Sequence, residues 1–193
     1  MSDPRRCHWV TQDPLYLEYH DNVWGRPVSD ARELFAKLCL DGQQAGLSWL
    51  TILKKQANYE LAFDHFDADK IARFDEHDIQ RLMQNAGIVR NRLKIESIIR
   101  NARAYVAMSE KGIDFSDFIW HFTGGHTVRN AWQLPEQVPV TTDASDAMSR
   151  SLKKQGFNFV GSTICYAFMQ AVGMVNDHLT DCHCYEEVSA LGR

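Results

Sequence analysis

Residues 156–168 read GFNFVGSTICYAF, and this stretch decides the fold. Gly156 stops one helix, a tight turn runs through Phe159, Val160 and Gly161, and a second helix opens at Ser162 or Thr163. Gly161 lets the backbone come close to another molecule. The first N–H groups of the new helix have no acceptor within it, and Ser162 and Thr163 add hydroxyl donors. Two helices joined in this way make a helix–hairpin–helix shape. Such a shape holds a phosphate backbone without reading sequence. The same turn also serves as a plain helix connection, so alone it assigns no role.

Helical signals continue on the amino-terminal side. Asp30 and Glu33 read as a capping pair ahead of Leu34, Phe35, Leu38 and Cys39 at helical spacing. Ser48, Asp67 and Asp75 each cap a further helix, with Gly87 just past the end of the third. Asn91 opens a long helix carrying Ile95, Ile98, Ile99, Ala102 and Val106, which ends near Gly112. Asp114 or Ser116 starts another, closed by Gly124 and Gly125, and Ser145 starts the one that Gly156 closes. The last long helix is predicted over 162–175. Residues 127–140 carry two prolines and no period, which predicts a loop. The expected fold class is all-α, with eight or more short helices in a single domain over residues 1–193 and no separable linker.

Composition agrees. Hydrophobic residues make up 45% of the 193 residues, enough for a core without disulfide staples. Lys plus Arg is 21 against 25 Asp plus Glu, which excludes a polybasic protein but leaves room for a local basic face. The start, MSDPRRCHWV, has no apolar stretch of the kind a signal peptide carries. The most apolar run, Val160–Val175, contains Ser162, Thr163 and Gln170 and is short for a bilayer, so no membrane association is expected. Cysteines at 7, 39, 165, 182 and 184 are odd in number and scattered, which points to a reducing cytoplasm. Arg90, Arg92, Lys94, Arg100 and Arg103 form one basic stretch, and Arg150, Lys153 and Lys154 a second. Each is either a solvated helix face or a phosphate-contacting face beside a glycine-containing turn.

Two further groupings stand out. Cys7 and His20 near one end, with His178 and Cys182 near the other, supply two thiols and two imidazoles, a set suited to tetrahedral Zn²⁺. A shared metal would clasp termini that otherwise fray. His183 and Cys184 leave the ligand set open on spacing alone, and buried unligated Cys and His are common. The second grouping is aromatic: Trp9, Tyr16, Tyr19, Trp24 and Trp49 crowd the first quarter of the chain. These rings are either core or a stacking surface for an extruded base. Between them lies CLDGQQAGLSW, residues 39–49, in which Asp41 sits at a helix end where an acid opposes the macrodipole.

The blocks CHWVTQDPLYLEYHDNVWG, LFAKLCLDGQQAGLSWLTILKK, NAGIVRNRLKIESIIRNARAY and LKKQGFNFVGSTICYAFMQAVGMVNDH run in this order from about Cys7 to Cys182. Together they closely resemble the 3-methyladenine DNA glycosylase I family of the helix–hairpin–helix superfamily. The resemblance implies a structural zinc on Cys7, His20, His178 and Cys182. It implies that Tyr19 and Trp49 hold the methylated base, with Trp9, Tyr16 and Trp24 lining the same pocket. Asp41 stands where the family typically has Glu, the carboxylate that hydrogen-bonds the base, so Asp41 and Tyr19 become the expected catalytic pair. Leu47 matches a residue that wedges into the duplex, and Gly161, Ser162 and Thr163 match the hairpin that grips DNA.

The expected partner is alkylated double-stranded DNA and the expected product free 3-methyladenine, from a monomeric, monofunctional enzyme that leaves an abasic site. Asp41 is shorter than Glu by one methylene, about 1.5 Å, which changes how the carboxylate reaches the base. Asp177, beside His178, is expected to be structural or to support the metal rather than to be catalytic. Two other readings stay open at this point. One is a zinc hydrolase, which requires an open coordination position. The other is a DNA-binding module without catalysis.

Overall fold

The computed structural model describes residues 3–193; Met1 and Ser2, included in the expected domain, lie outside the described residues. The chain is mostly helical. In order it forms α1 (Pro14–Asn22), α2 (Ala31–Gln43), α3 (Trp49–Ala62), α4 (Ala68–Ile71), α5 (Glu76–Met83), α6 (Arg92–Glu110), α7 (Phe115–Trp120), α8 (Asp143–Gln155), α9 (Ser162–Ala171) and α10 (Tyr185–Leu191). Among the described residues no helix is long and apolar enough to cross a membrane.

Most starts follow the capping chemistry. Asp30 accepts from the Glu33 N–H, Ser48 from Thr51, Asp67 from Lys70, Asn91 from Lys94 and Asp114 from Asp117. Helix α8 begins earlier than Ser145 suggests. Thr142 is its cap, and Ser145 is the third residue of a reciprocal capping box. The helix predicted over 162–175 stops at Ala171, because β2 (Val175–Asn176) takes over. That strand pairs in parallel with β1 (Val128–Arg129), inside the stretch read as loop. Two residues per strand are too few for an alternating pattern to register. Gly173 between α9 and β2 has φ +75°, and a Cβ there would lie 2.5 Å from the Pro27 backbone nitrogen.

Helix α2 is the centre of the molecule. It packs against α3, α6, α7 and α9, and from Leu38 onward it is buried on every side. Phe35 and Leu38 are fully buried, as are Ile98 of α6 and Phe168 of α9. Truncating such a side chain to Ala removes about 2–5 kcal/mol. Burial also takes in polar groups, and these are paired. The Gln43 side chain donates to the Lys94 carbonyl and accepts from the Tyr59 hydroxyl. The Lys94 ammonium donates to the Gln43 and Ala45 carbonyls at 2.8 and 2.6 Å, covering the carboxy-terminal end of α2. Lys94 thus brings a cation from α6 to the carboxy-terminal end of α2, whose own last turn has none.

Most of the basic stretch 90–103 is likewise engaged within the fold. Lys94 is buried, Arg92 is paired with Glu76 and Glu96, Arg100 donates to the Gly156 carbonyl, and Arg103 donates to the Ala72 and Phe74 carbonyls. Four of these five cations brace neighbouring segments, and Arg92, Arg100 and Arg103 stay exposed while doing so.

Candidate functional site

A cavity of about 450 Å³ opens between α1, the end of α2, the start of α3 and α9. All six side chains expected to hold a base line it: Trp9, Tyr16, Tyr19, Trp24, Asp41 and Trp49. The rings pack at tilted and edge-to-face angles. Trp9 lies 5.1 Å from Tyr16 and 5.0 Å from Trp24, and Tyr19 lies 5.6 Å from Trp49, centroid to centroid. They are partly core and partly cavity wall. Burial, reinforced by the Asp41 charge, pushes the Tyr19 phenol well above its ordinary range and keeps it neutral. Pro135, Val138, Pro139 and Val140 form another wall. No residue pattern points to them, because a proline-broken segment shows no period.

Asp41 is only 3% exposed. Its Oδ1 accepts from the Lys37 ammonium at 2.8 Å. Its Oδ2 is buried with no partner among the described residues, and so is Nε1 of Trp49. Unmet buried polar atoms are unfavourable by about 1–3 kcal/mol each, so these two leave the cavity wall with an acceptor and a donor for a bound molecule or water to satisfy. Burial pushes the Asp41 carboxyl up and Lys37 moderates the shift; burial pulls the Lys37 ammonium down and Asp41 moderates that. Lys37 went unnoticed in the sequence. Its i, i+4 spacing to Asp41 on an amphipathic helix was the available signal.

The turn between α8 and α9 lies against the same end of α2. A Cβ on Gly42 would sit 3.1 Å from the Phe159 carbonyl oxygen, so the glycine next to Asp41 is what admits the turn. Asn101 of α6 braces it from the other side, accepting from Asn158 N–H and donating to the Asn158 carbonyl. Phe159 takes φ +55°, uncommon for a residue with a side chain. Gly161 precedes α9 with open space where its Cβ would be, and no side chain among the described residues caps the helix. Thr163 is exposed and reaches the cavity wall. Ser162 departs from expectation: its hydroxyl donates to Asp146 and meets the Ser145 hydroxyl, so it is committed inside the protein. Only its backbone N–H is left to face a phosphate. Leu47, 40% exposed, stands in the turn that leads into α3.

Cys7, His20, His178 and Cys182 converge, all four buried, with their ligand atoms within 4.8 Å of one another. Cys7 Sγ and Cys182 Sγ lie 3.6 and 3.5 Å from His178 Nδ1, and Cys182 Sγ lies 3.5 Å from His20 Nε2. Bond lengths of about 2.3 Å to sulfur and about 2.05 Å to nitrogen at tetrahedral angles put such pairs about 3.5–3.6 Å apart. The donor set therefore fits Zn²⁺. The rings are also aimed from behind: His20 Nδ1 meets Asp21 Oδ1 at 2.7 Å, and His178 Nε2 meets the Trp24 carbonyl at 3.2 Å. His183 and Cys184 are not among the four but form a second group with Asp21 that shares His20 with the first.

Asp177 lies on the cavity wall but is fully engaged. It accepts from Asn130, Trp132, Tyr166 and Gln170, four donors that use the capacity of a carboxylate. It ties the 130–132 segment to α9, the structural role expected of it.

The methyladenine glycosylase family model matches residues 9–185. DNA-3-methyladenine glycosylase 1 of Escherichia coli K12 is 56% identical over 181 residues, covering 93% of this chain and 96% of the relative. A crystal structure of 3-methyladenine DNA glycosylase I superposes with a TM-score of 0.93 at 54% identity, covering 94% of this chain and 100% of that one. A single-residue variant of 3-methyladenine DNA glycosylase I, crystallised in complex with 3-methyladenine, gives a TM-score of 0.88 at 39% identity over 91% of this chain and 94% of that one. With the aromatic cavity, its buried carboxylate and the helical frame already in place, these likenesses show that the chain belongs to the methyladenine glycosylase family.

Proposed function

We propose that this protein excises 3-methyladenine from alkylated double-stranded DNA by hydrolysing the N-glycosidic bond, releasing the free base and leaving an abasic site. The observation that carries the reading is the aromatic cavity with an unmet carboxylate oxygen, Asp41 Oδ2, in its wall. An adenine alkylated at N3 is a cation while still attached to the sugar, so its bond to C1′ is weak before the enzyme acts. The protein has to extrude the nucleotide and favour the charged base. Trp49 supplies a ring face for cation–π attraction and Asp41 a negative charge and an acceptor for the exocyclic amine. Tyr19, held neutral, closes the other side, with Trp9, Tyr16 and Trp24 around it. As the C1′–N bond breaks, its electron pair neutralises the base, a water oxygen bonds to C1′, and the water proton passes to solvent. No lysine attacks C1′, so no lyase step follows.

The hairpin at Gly161, Ser162 and Thr163 grips backbone through main-chain N–H groups, and Leu47 fills the gap left in the duplex. The helix–hairpin–helix geometry belongs to this reading. So does a structural Zn²⁺ on Cys7, His20, His178 and Cys182. The metal supplies cross-linking of the two chain ends, with all four positions taken by protein. The chain acts as one domain, a monomer in the cytoplasm. The test is chromatography of bases released from methylated duplex DNA by the purified protein. Selective release of 3-methyladenine is expected; no release from folded, metal-replete protein overturns the reading in favour of a DNA-binding module.

A further inference from the structure

The Lys37 ammonium lies 3.3 Å from the centroid of the Trp49 ring and 5.6 Å from that of Tyr19, while donating to Asp41 at 2.8 Å. A flat base stacked on Trp49 would occupy the same layer, because ring planes and cations both settle about 3.5 Å from an aromatic face. A positive charge therefore already stands where a cationic base would be attracted, on the same indole and the same carboxylate. With Lys37 in this position, Asp41 Oδ2 and Trp49 Nε1 are sealed from solvent and unpartnered. Some group must move before a ligand can reach them. Asp41 and Trp49 are fixed by packing on helices, whereas Lys37 has an unbranched four-carbon stem and a side chain that is 16% exposed.

We propose that Lys37 is a displaceable internal occupant of the base pocket, holding the cation place on Trp49 and Asp41 until an alkylated base enters and drives the ammonium out toward solvent. The inference rests on the base-pocket reading above and adds a specificity device to it. A base that gains nothing from Trp49 and Asp41 cannot repay the broken ion pair, while a cationic base exchanges one charge for another. The apparent affinity of every ligand is lowered by the fraction of pockets in which Lys37 is in place. Burial, which pulls the ammonium down from its ordinary range, eases its departure.

The experiment uses 3,9-dimethyladeninium as probe, an adenine alkylated at N3 whose N9 methyl replaces the sugar and retains the positive charge. Tryptophan fluorescence of the intact protein reports binding, and amine acetylation read by mass spectrometry reports the exposure of Lys37. Saturating probe is expected to raise Lys37 labelling in the unmutated protein several-fold. Lys37→Met is expected to bind the probe about tenfold more tightly, with Lys37→Arg close to the parent. Looser or equal binding by Lys37→Met, or unchanged labelling at saturation, overturns the proposal and leaves the pocket reading standing. Absence of probe binding by both proteins overturns the pocket reading and the proposal with it. If Lys37→Met fails to fold, the labelling of the unmutated protein decides.

Discussion

The Cys/His cluster and the aromatic cavity share a wall and are built in opposite ways. Trp9 touches His20 and Trp24 touches His178, at ring separations of 5.3 and 4.7 Å, so the same tryptophans face both. In the cluster the outer nitrogen of each imidazole has a fixed partner and the four inner atoms converge on one point. In the cavity two polar atoms are buried with no partner, and a lysine leans across a ring. Under the proposed function the cluster is closed by a resident Zn²⁺, whereas the cavity is filled only by a transient guest. Mutations should therefore separate the two, with the cluster moving stability and the cavity moving chemistry.

The largest effect is expected at the cluster. On the proposed zinc site, Cys182→Ser or prolonged chelation removes the cross-link between the two chain ends. A loss of about 4 kcal/mol, at about 2–4 °C per kcal/mol for a chain of this size, lowers the unfolding midpoint by about 10 °C. Thermal unfolding beside metal analysis checks this. Cys184→Ser should leave the metal content unchanged, since Cys184 stands outside the foursome; a loss of metal there would redraw the ligand set.

Next comes Asp41→Asn, which keeps the shape and removes the charge. The expected loss in kcat/KM for 3-methyladenine release is about 100-fold, close to the ~3 kcal/mol of a charge-assisted contact in a dry site. Ion pairing with the base needs the carboxylate, and burial pushes the Asp41 pKa up. Activity should therefore rise with pH through a limb lying above the ordinary carboxylate range. Asp41→Asn should lose that limb in the pH–rate profile. A limb that survives the substitution assigns it to another group. Trp49→Leu, which removes the ring face and keeps an apolar side chain, is expected to lower kcat/KM by about tenfold.

The difference between the regions also explains what could be read in advance. Helix starts were legible because Asp30, Ser48, Asn91 and Asp114 act on neighbours three residues away. Helix ends were less so: α9 stops where Val128 and Val175 pair, a contact between residues far apart in the chain. The pocket residues expected from the family resemblance were found together, because the aromatics and Asp41 carry their chemistry in their side chains. Lys37 and Lys94 were not singled out. A lysine on a helix is ordinarily solvated, and only the fold shows one leaning on Trp49 and the other covering the end of α2. Ser162 was read as a free donor because its partner Asp146 belongs to the preceding helix.

The smallest effect is the sharpest test of the hairpin. Gly42 and Gly161 flank the same turn, but for different reasons. A Cβ at Gly42 runs into the Phe159 backbone, so Gly42→Ala should destabilise the fold by about 1–3 kcal/mol as the turn shifts away. A Cβ at Gly161 meets nothing within 4 Å, and its φ of −62° suits any L-residue. Gly161→Ala should therefore leave stability unchanged or raise it by about 0.5 kcal/mol, through the reduced freedom of the unfolded chain. If the space in front of Gly161 is where a phosphate backbone lies, the same substitution should weaken binding to duplex DNA several-fold without altering affinity for the free base. Thermal unfolding, a duplex-binding titration and a free-base titration on this one variant separate the contributions. Equal DNA affinity would remove the hairpin from the interface and leave Gly161 as a connection between two helices.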